Sequence, residues 1–329
     1  MKKVHLLIAD LFLPKDVASE VCAGLHLPAL EKILARSKEG TAITAMSLDE
    51  ALCRLFGLSG DVGVAPVCAS FDGLEEGIWM RADPVHVRLQ REQVVLLPDI
   101  TISPEETQQF CLSLNAHFQN EGMMFFAPHP QRWYVKLYKQ PDITTVSLSQ
   151  ASGNNIHGNL PKGLEARFWH QRFNEIQMLL YSHPVNENRE ARGELTVNSL
   201  WFWGNGVSGI PVINQFNYVC SNEVLVEILA AGAKLPCSKW LPAWQEEADL
   251  LVWTGLRAAL QAGNLSAWRD ALQEFETGYA QPLWKALCRG KIQQLQIDIL
   301  GGEHPKQLNL SRADCLAVWR RPKNLANYS

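Results

Sequence analysis

The chain has no apolar run approaching the roughly 18 residues that a membrane-spanning helix requires, so no membrane partner is expected. It has no block of Lys or Arg either. Its 30 basic and 34 acidic residues leave a formal net charge of -4, without the clustered positive charge that marks a nucleic-acid partner. None of the eight cysteines (Cys22, Cys53, Cys68, Cys111, Cys220, Cys237, Cys288, Cys315) falls in a C-x-x-C pair. That excludes a zinc ribbon or a C-x-x-C redox dithiol, and the cysteines read as reduced, mostly buried thiols of a cytoplasmic protein. The G-x-S-x-G frame of a nucleophile elbow and a Walker lysine loop are both missing. Met1-Lys2-Lys3 followed by VHLLIADLFL has the outline of a signal peptide. Asp10 interrupts that run and no small-residue cleavage site follows, so a first strand is the expectation.

What is present is ordinary globular composition, 47% hydrophobic and 19% charged, in 329 residues. That length predicts two domains, or one α/β domain carrying an insertion. Residues 4–9 (VHLLIA) read as a buried strand ending at Asp10, and residues 28–37 (PALEKILARS) as a helix with Pro28 in its first turn. Residues 47–56 (SLDEALCRLF) predict a helix capped by Ser47. From Ile78 the pattern alternates as in a hairpin, WMRADPVHVRLQ then VVLL. A helix over 104–118, strands over 123–127 and 133–137, a long surface loop over 140–163 and a helix over 164–181 follow. Further on come a helix over 221–231, a strand over 250–253 (LLVW), helical stretches around 268–284, a strand over 294–300 (QLQIDIL) and a last strand or edge over 317–320. Strands alternating with helices imply a mainly parallel sheet. The expected architecture is therefore an α/β core domain in two pieces, 1–65 and 196–329, interrupted by a smaller α+β insertion domain at 66–195.

One stretch concentrates polar chemistry. Residues 183–206, HPVNENREARGELTVNSLWFWGNG, set His183, Asn186, Arg189 and Arg192 before an aromatic apolar run closed by Gly204-Asn205-Gly206. The run reads as a buried strand and a turn, delivering Asn205 to the carboxyl end of a sheet, where ligands collect in open α/β folds. The loop holding Trp240 and Trp244 reads as packing or as a protein-partner contact.

The same stretch resembles the archaeal-type cofactor-independent phosphoglycerate mutases of the alkaline phosphatase superfamily. That family shows His-Pro, a following Arg, Gly and Asn, and an aromatic strand ending Trp-Gly-x-Gly. The strand ending at Asp10, the PALEKILA helix and the VHVRLQ segment match in order, and the chain is similar also to bacterial RpfE-type regulatory proteins. The resemblance implies an alkaline-phosphatase-like, mainly parallel sheet with helices on both faces and a smaller domain closing over a phosphoglycerate. In active relatives two divalent metals, Mn or Zn, activate a serine that carries the phosphoryl group.

Carried over residue by residue, the resemblance puts Asp10 on a metal ligand and Glu303-His304-Pro305 on a second one, with Glu303 replacing an aspartate. The nucleophile position falls on Leu48, and Ser47 stands one residue early. Where the family supplies further ligands, residues 254–264 (TGLRAALQAGN) contain no His, Asp or Glu. A two-metal centre needs more donors than these. The expectation is a degenerate protein, without a cofactor, that binds a small phosphorylated or carboxylated metabolite through Arg88, His183, Arg189, Arg192, Asn198 and Asn205. A structural role stays open for several of them: a surface or salt-bridging arginine for Arg88 and Arg189, and a helix C-terminal histidine for His183. The alternative is an active metal-dependent mutase or phosphatase with a rearranged site using Asp10, Ser47, Glu303 and His304.

Overall fold

The computed structural model describes residues 2–41, 47–58, 63–90, 93–98, 100–152, 155–209, 211–301 and 305–328. The chain forms two compact units, Met1–Leu48 with Ile213–Ser329, and Asp49–Val212. These bounds differ from 1–65 with 196–329 and 66–195, because the aromatic strand near residue 200 pairs inside the inserted unit.

The strands, in chain order, are β1 Lys3–Ala9, β2 Lys38–Glu39, β3 Ile78–Gln90, β4 Gln93–Leu97, β5 Met123–His129, β6 Arg132–Leu137, β7 Ser199–Val207, β8 Val219–Ser221, β9 Cys237–Lys239, β10 Leu250–Trp253, β11 Gln294–Leu300 and β12 Lys306–Ser311. The first unit carries a seven-stranded sheet in the order β2-β12-β11-β1-β10-β8-β9. Its run from β11 to β9 is parallel, and β12 and β2 add an antiparallel edge. β1 is buried on both faces, with Val4, Leu6 and Ile8 in a core shared with the helices Pro28–Arg36, Leu265–Phe275 and Gln281–Cys288, and Leu7 only 1% exposed on the other face. An apolar run without alternation is what two covered faces require.

The end of the chain departs from expectation. The last strand is β12 (KQLNLS), between β11 and the short edge strand β2, and its Leu308 and Leu310 turn inward at period two. Residues 317–320 form no strand, and Val318 and Trp319 there are exposed. The loop tryptophans pack within this unit. Trp240 stacks on Tyr279 at 4.0 Å between centroids and Trp244 is buried. Helix Leu265–Phe275 continues into a π-helical turn, Glu276–Ala280, which brings the buried Glu276 carboxylate onto the backbone N–H groups of Ala29 and Leu30 at 2.8 and 2.9 Å. Two otherwise unpaired donors at the start of helix Pro28–Arg36 are thereby satisfied.

The second unit is built on an antiparallel sheet, β4-β3-β6-β5, with β7 paired to β3 from Ile78↔Val207 to Val85↔Ser199. β7 therefore belongs to this sheet and not to the carboxyl edge of the parallel one. Both sheets accept a buried apolar strand, and the backbone pairing decides. Helix Pro104–Phe118 starts with a full capping box between Ser103 and Glu106, and helix Ala166–Tyr181 buries Trp169, Phe173, Ile176 and Leu180.

Candidate functional site

The parallel strands end in register. Ala9 of β1 lies beside Leu300 of β11, and Ile8 beside Trp253 of β10, while Val252 faces Ser221 of β8. The next residues, Asp10, Gly301, Thr254 and Asn222, therefore form one row at the carboxyl edge, the ligand-collecting edge of an open α/β sheet.

Asp10 adopts a left-handed backbone with φ of 60°, a costly conformation for a residue with a side chain. Its carboxylate lies beside Gly301. Gly301 has φ of 88°, and a Cβ there would lie 2.1 Å from Asp10 Oδ1. The other oxygen, Oδ2, accepts from Arg257 Nε at 3.0 Å, and the backbone carbonyl of Asp10 accepts from Trp268 Nε1 at 3.3 Å. The row is tied together further along. Thr254 N donates to Asn222 Oδ1 at 2.9 Å, Thr254 Oγ1 donates to Glu223 at 2.7 Å, and Glu223 N donates to Ser221 Oγ at 2.9 Å.

The described side chains of this row do not by themselves make a divalent-metal centre. Among the described residues no group of three or more His, Cys, Asp or Glu side chains could hold a metal ion. Asp10 already faces a guanidinium, which would repel an incoming dication. Glu303 and His304 lie outside the described residues. Ser47 is half-buried, immediately before helix Leu48–Leu55.

The predicted ligand residues of the second unit are mostly committed to structure. His183 is the N-cap of a helix that sequence patterning missed, Pro184–Ala191. It also follows closely on the end of helix Ala166–Tyr181, its backbone N–H donating to Leu180 O at 3.2 Å, and Pro184 at the first helical position was the available signal for the new helix. Its Nδ1 accepts from Val185 N at 3.2 Å, its Nε2 meets Ser113 Oγ at 2.9 Å, and its ring lies 4.6 Å from that of Phe110. Burial holds this imidazole below its ordinary range. Asn186 bridges Leu180 O, Val197 O and Val197 N.

Arg189 is 2% exposed and spends Nε on Leu195 O at 2.8 Å, Nη1 on Glu106 at 2.7 Å and Nη2 on Thr101 O at 2.9 Å. Arg192 holds the other oxygen of Glu106 at 2.7 Å and pairs with Glu194. Asn198 pairs in both directions with the backbone of Val87, at 2.7 and 2.8 Å. Arg88 is exposed on the β3–β4 hairpin, and Asn205 lies near the opposite end of the β3–β7 pair, opposite the Trp79–Arg81 bulge. At about 3.3 Å per residue, roughly eight residues of strand put them on the order of 25 Å apart, so these residues do not line one pocket. The glycines around Asn205 serve packing, since a Cβ on Gly63 would meet Asn205 O at 1.9 Å and one on Gly206 would meet Gly63 N at 2.7 Å.

Sequence patterning also missed a buried charged network beneath the same strands. Arg81 Nε donates to Asp83 Oδ1 at 3.0 Å, and Trp203 Nε1 donates to Asp83 Oδ2 at 2.7 Å. The guanidinium lies over the rings of Tyr134 and Trp203. Burial pushes the Asp83 carboxyl up, against the pull of Arg81 and Trp203. Nearby, Asp72 takes both guanidinium arms of Arg132 and the Tyr134 hydroxyl; these bonds outweigh its burial and hold it below the ordinary carboxylate range. The signal was legible, as Arg81 and Asp83 share one face at spacing two within a buried strand.

The architecture is an α/β fold, a mainly parallel sheet with an antiparallel sheet inserted in the chain. No family model matches the sequence. Its sequence relatives are phosphoglycerate mutases. The 2,3-bisphosphoglycerate-independent phosphoglycerate mutase of Methanosarcina barkeri is 26% identical over 216 residues, covering 60% of this chain and 53% of that protein. The probable enzyme of that name from Geobacter sulfurreducens is 36% identical over 64 residues, 20% of this chain and 16% of its own. The chain thus spans about half the length of the first of these relatives. Among solved structures, the PH0037 protein of Pyrococcus horikoshii matches 100% of this chain and 93% of its own at a TM-score of 0.55 and 14% identity, which shows a shared fold. The cofactor-independent phosphoglycerate mutase of Thermoplasma acidophilum matches at 0.43 and 16% identity, over 93% of this chain and 89% of that one. The chain is phosphoglycerate-mutase-like in sequence. Among the described residues no helix is long and apolar enough to cross a membrane.

Proposed function

We propose that this chain is a degenerate phosphoglycerate-mutase-like protein that binds a small phosphorylated or carboxylated ligand without turning it over, in a regulatory or sensing role. One observation carries the reading: Asp10, the aspartate that the resemblance puts on a metal ligand, accepts a hydrogen bond from Arg257. A carboxylate held by a guanidinium at 3.0 Å is not a vacant metal ligand, and the chemistry of the relatives asks for a cation at that edge. Function resides in the site and not in the fold, so likeness to mutases does not by itself bring mutase activity. All eight cysteines are free thiols, which suits a reducing, cytoplasmic setting. No nucleic-acid or membrane partner is part of the proposal; a protein partner for the regulatory role is.

The test is to incubate chelator-treated protein with 2-phosphoglycerate, with and without added Mn2+, and to follow 3-phosphoglycerate by a coupled assay. No conversion above the blank is expected, together with a rise in thermal midpoint on adding either phosphoglycerate. Mn2+-dependent interconversion that disappears in Asp10→Ala would establish the competing enzyme reading.

A further inference from the structure

We infer that Arg257 is the anion-binding group of the sheet edge, its guanidinium standing where the relatives' chemistry would place a metal charge, and that it takes a phosphoryl group end-on. The inference rests on the small-anion reading above and assigns its site. Arg257 lies in the short helix Gly255–Gln261, directly after β10, in the segment where the resemblance calls for metal-supplying side chains. Its side chain is 24% exposed.

The geometry is that of an oriented fork. Asp10 accepts through Nε, and Nη1 and Nη2 make no hydrogen bond among the described residues. A planar guanidinium fixed through Nε still presents the parallel donors of its Nη edge, the edge that matches two oxygens of a phosphate or carboxylate. Asp10 itself stands on a left-handed backbone with its carboxylate beside Gly301, where only a glycine leaves room for it. The neighbouring exposed Asn222, whose Oδ1 is taken by Thr254 N, has an amide NH2 as a second donor at the same edge.

A charge consequence separates this arrangement from a metal site. In a metal site the Asp10 charge helps binding, because the aspartate holds the cation. In the present arrangement it opposes binding, since it sits beside the anion and cancels part of the guanidinium charge. Asp10→Asn keeps an oxygen that accepts from Arg257 Nε and removes the negative charge. One unit charge about 6 Å from the ligand, at an effective dielectric of about 40 for a half-exposed site, corresponds to about tenfold in affinity.

The experiment is calorimetric titration of chelator-treated full-length protein with inorganic phosphate, 3-phosphoglycerate and glycerate. It is run on wild type, Arg257→Ala, Arg257→Lys and Asp10→Asn, with far-UV circular dichroism as the folding control. Expected are binding of phosphate and 3-phosphoglycerate, at least tenfold loss in Arg257→Ala, a partial loss in Arg257→Lys and tighter binding in Asp10→Asn. Stronger binding of glycerate than of phosphate would assign the fork to a carboxylate and overturn the phosphoryl assignment. Unchanged binding in a folded Arg257→Ala overturns the site while the small-anion reading survives. No binding of any of the three by wild type overturns both. Weaker binding in Asp10→Asn, or a requirement for Mn2+, overturns the inference in favour of a metal site.

Discussion

Replacing Arg189 with alanine separates a structural arginine from a ligand-binding one. Its side chain is 3% exposed, and its donors go to Leu195 O, Thr101 O and Glu106. In Arg189→Ala the two carbonyls lose their donor, and a buried acceptor left unpaired costs about 1–3 kcal/mol. Removing one partner of a buried ion pair costs about 3–5 kcal/mol when the other is stranded. Glu106 is not stranded, because Arg192 and the backbone N–H of Ser103 still reach it. The groove of about 670 Å³ lined by Thr101, Ser103, Glu106, Arg189 and Arg192 is roomy enough for water to reach the exposed groups. The net expectation is a loss of about 3 kcal/mol. In urea, with a slope of about 2 kcal/mol/M, the unfolding midpoint of the second unit falls by about 1.5 M at unchanged slope, read by tryptophan fluorescence. Affinity for 3-phosphoglycerate is unchanged in the folded variant. A stability change below about 0.5 kcal/mol with a tenfold loss of ligand affinity would refute the structural assignment.

Three further outcomes are expected. Burial depresses the His183 pKa from its ordinary 6.5, so the neutral ring is favoured in the folded state; its stabilising effect is present above pH 6.5 and is lost as pH falls toward the depressed value. Thermal midpoints of wild type should fall between pH 7 and 5 more steeply than those of His183→Asn, which keeps a good N-cap, and parallel profiles would contradict this. Gly301→Ala forces a Cβ to 2.1 Å from Asp10 Oδ1 on a backbone with φ of 88°, so the thermal midpoint should drop; an unchanged midpoint would mean that the Asp10 carboxylate does not lie beside Gly301. Arg81→Met strands the Asp83 carboxylate and should cost about 3–5 kcal/mol in urea unfolding, most of it recovered in Arg81→Met with Asp83→Leu. Equal losses in the single and double variants would rule out a coupled pair.

Local pattern carried much of the fold. β1 and β10 are legible as apolar runs, β11 (QLQIDIL) and the β3–β4 hairpin as alternation, and helix Pro104–Phe118 by its Ser103 and Glu106 box. Pairing partners are another matter. Nothing in LWFW distinguishes a parallel core strand from the antiparallel partner of β3, because both are buried and the deciding bonds join residues far apart in the chain. β12 was hidden because KQLNLS holds only two inward leucines, and the exposed Val318 and Trp319 suggested a strand that has no partner. In the site, Asp10 was legible from its place after a strand, and the absence of acidic residues in 254–264 from the letters alone. Arg257 was not singled out, because its contact with Asp10 spans 247 positions of sequence. His183, Arg189 and Arg192 were noticed for their chemistry, but polar side chains packed into helix caps and buried ion pairs look the same in sequence as those facing a ligand.

The central claim is that the carboxyl edge of the parallel sheet holds an aspartate–arginine pair in the position of a metal. Titration of chelator-treated protein with Mn2+, followed by electron paramagnetic resonance, tests it most directly. The account predicts that the free-ion signal grows in proportion from the first addition, in wild type and Asp10→Ala alike. Silent uptake of one or two equivalents by wild type, lost in Asp10→Ala, would contradict it.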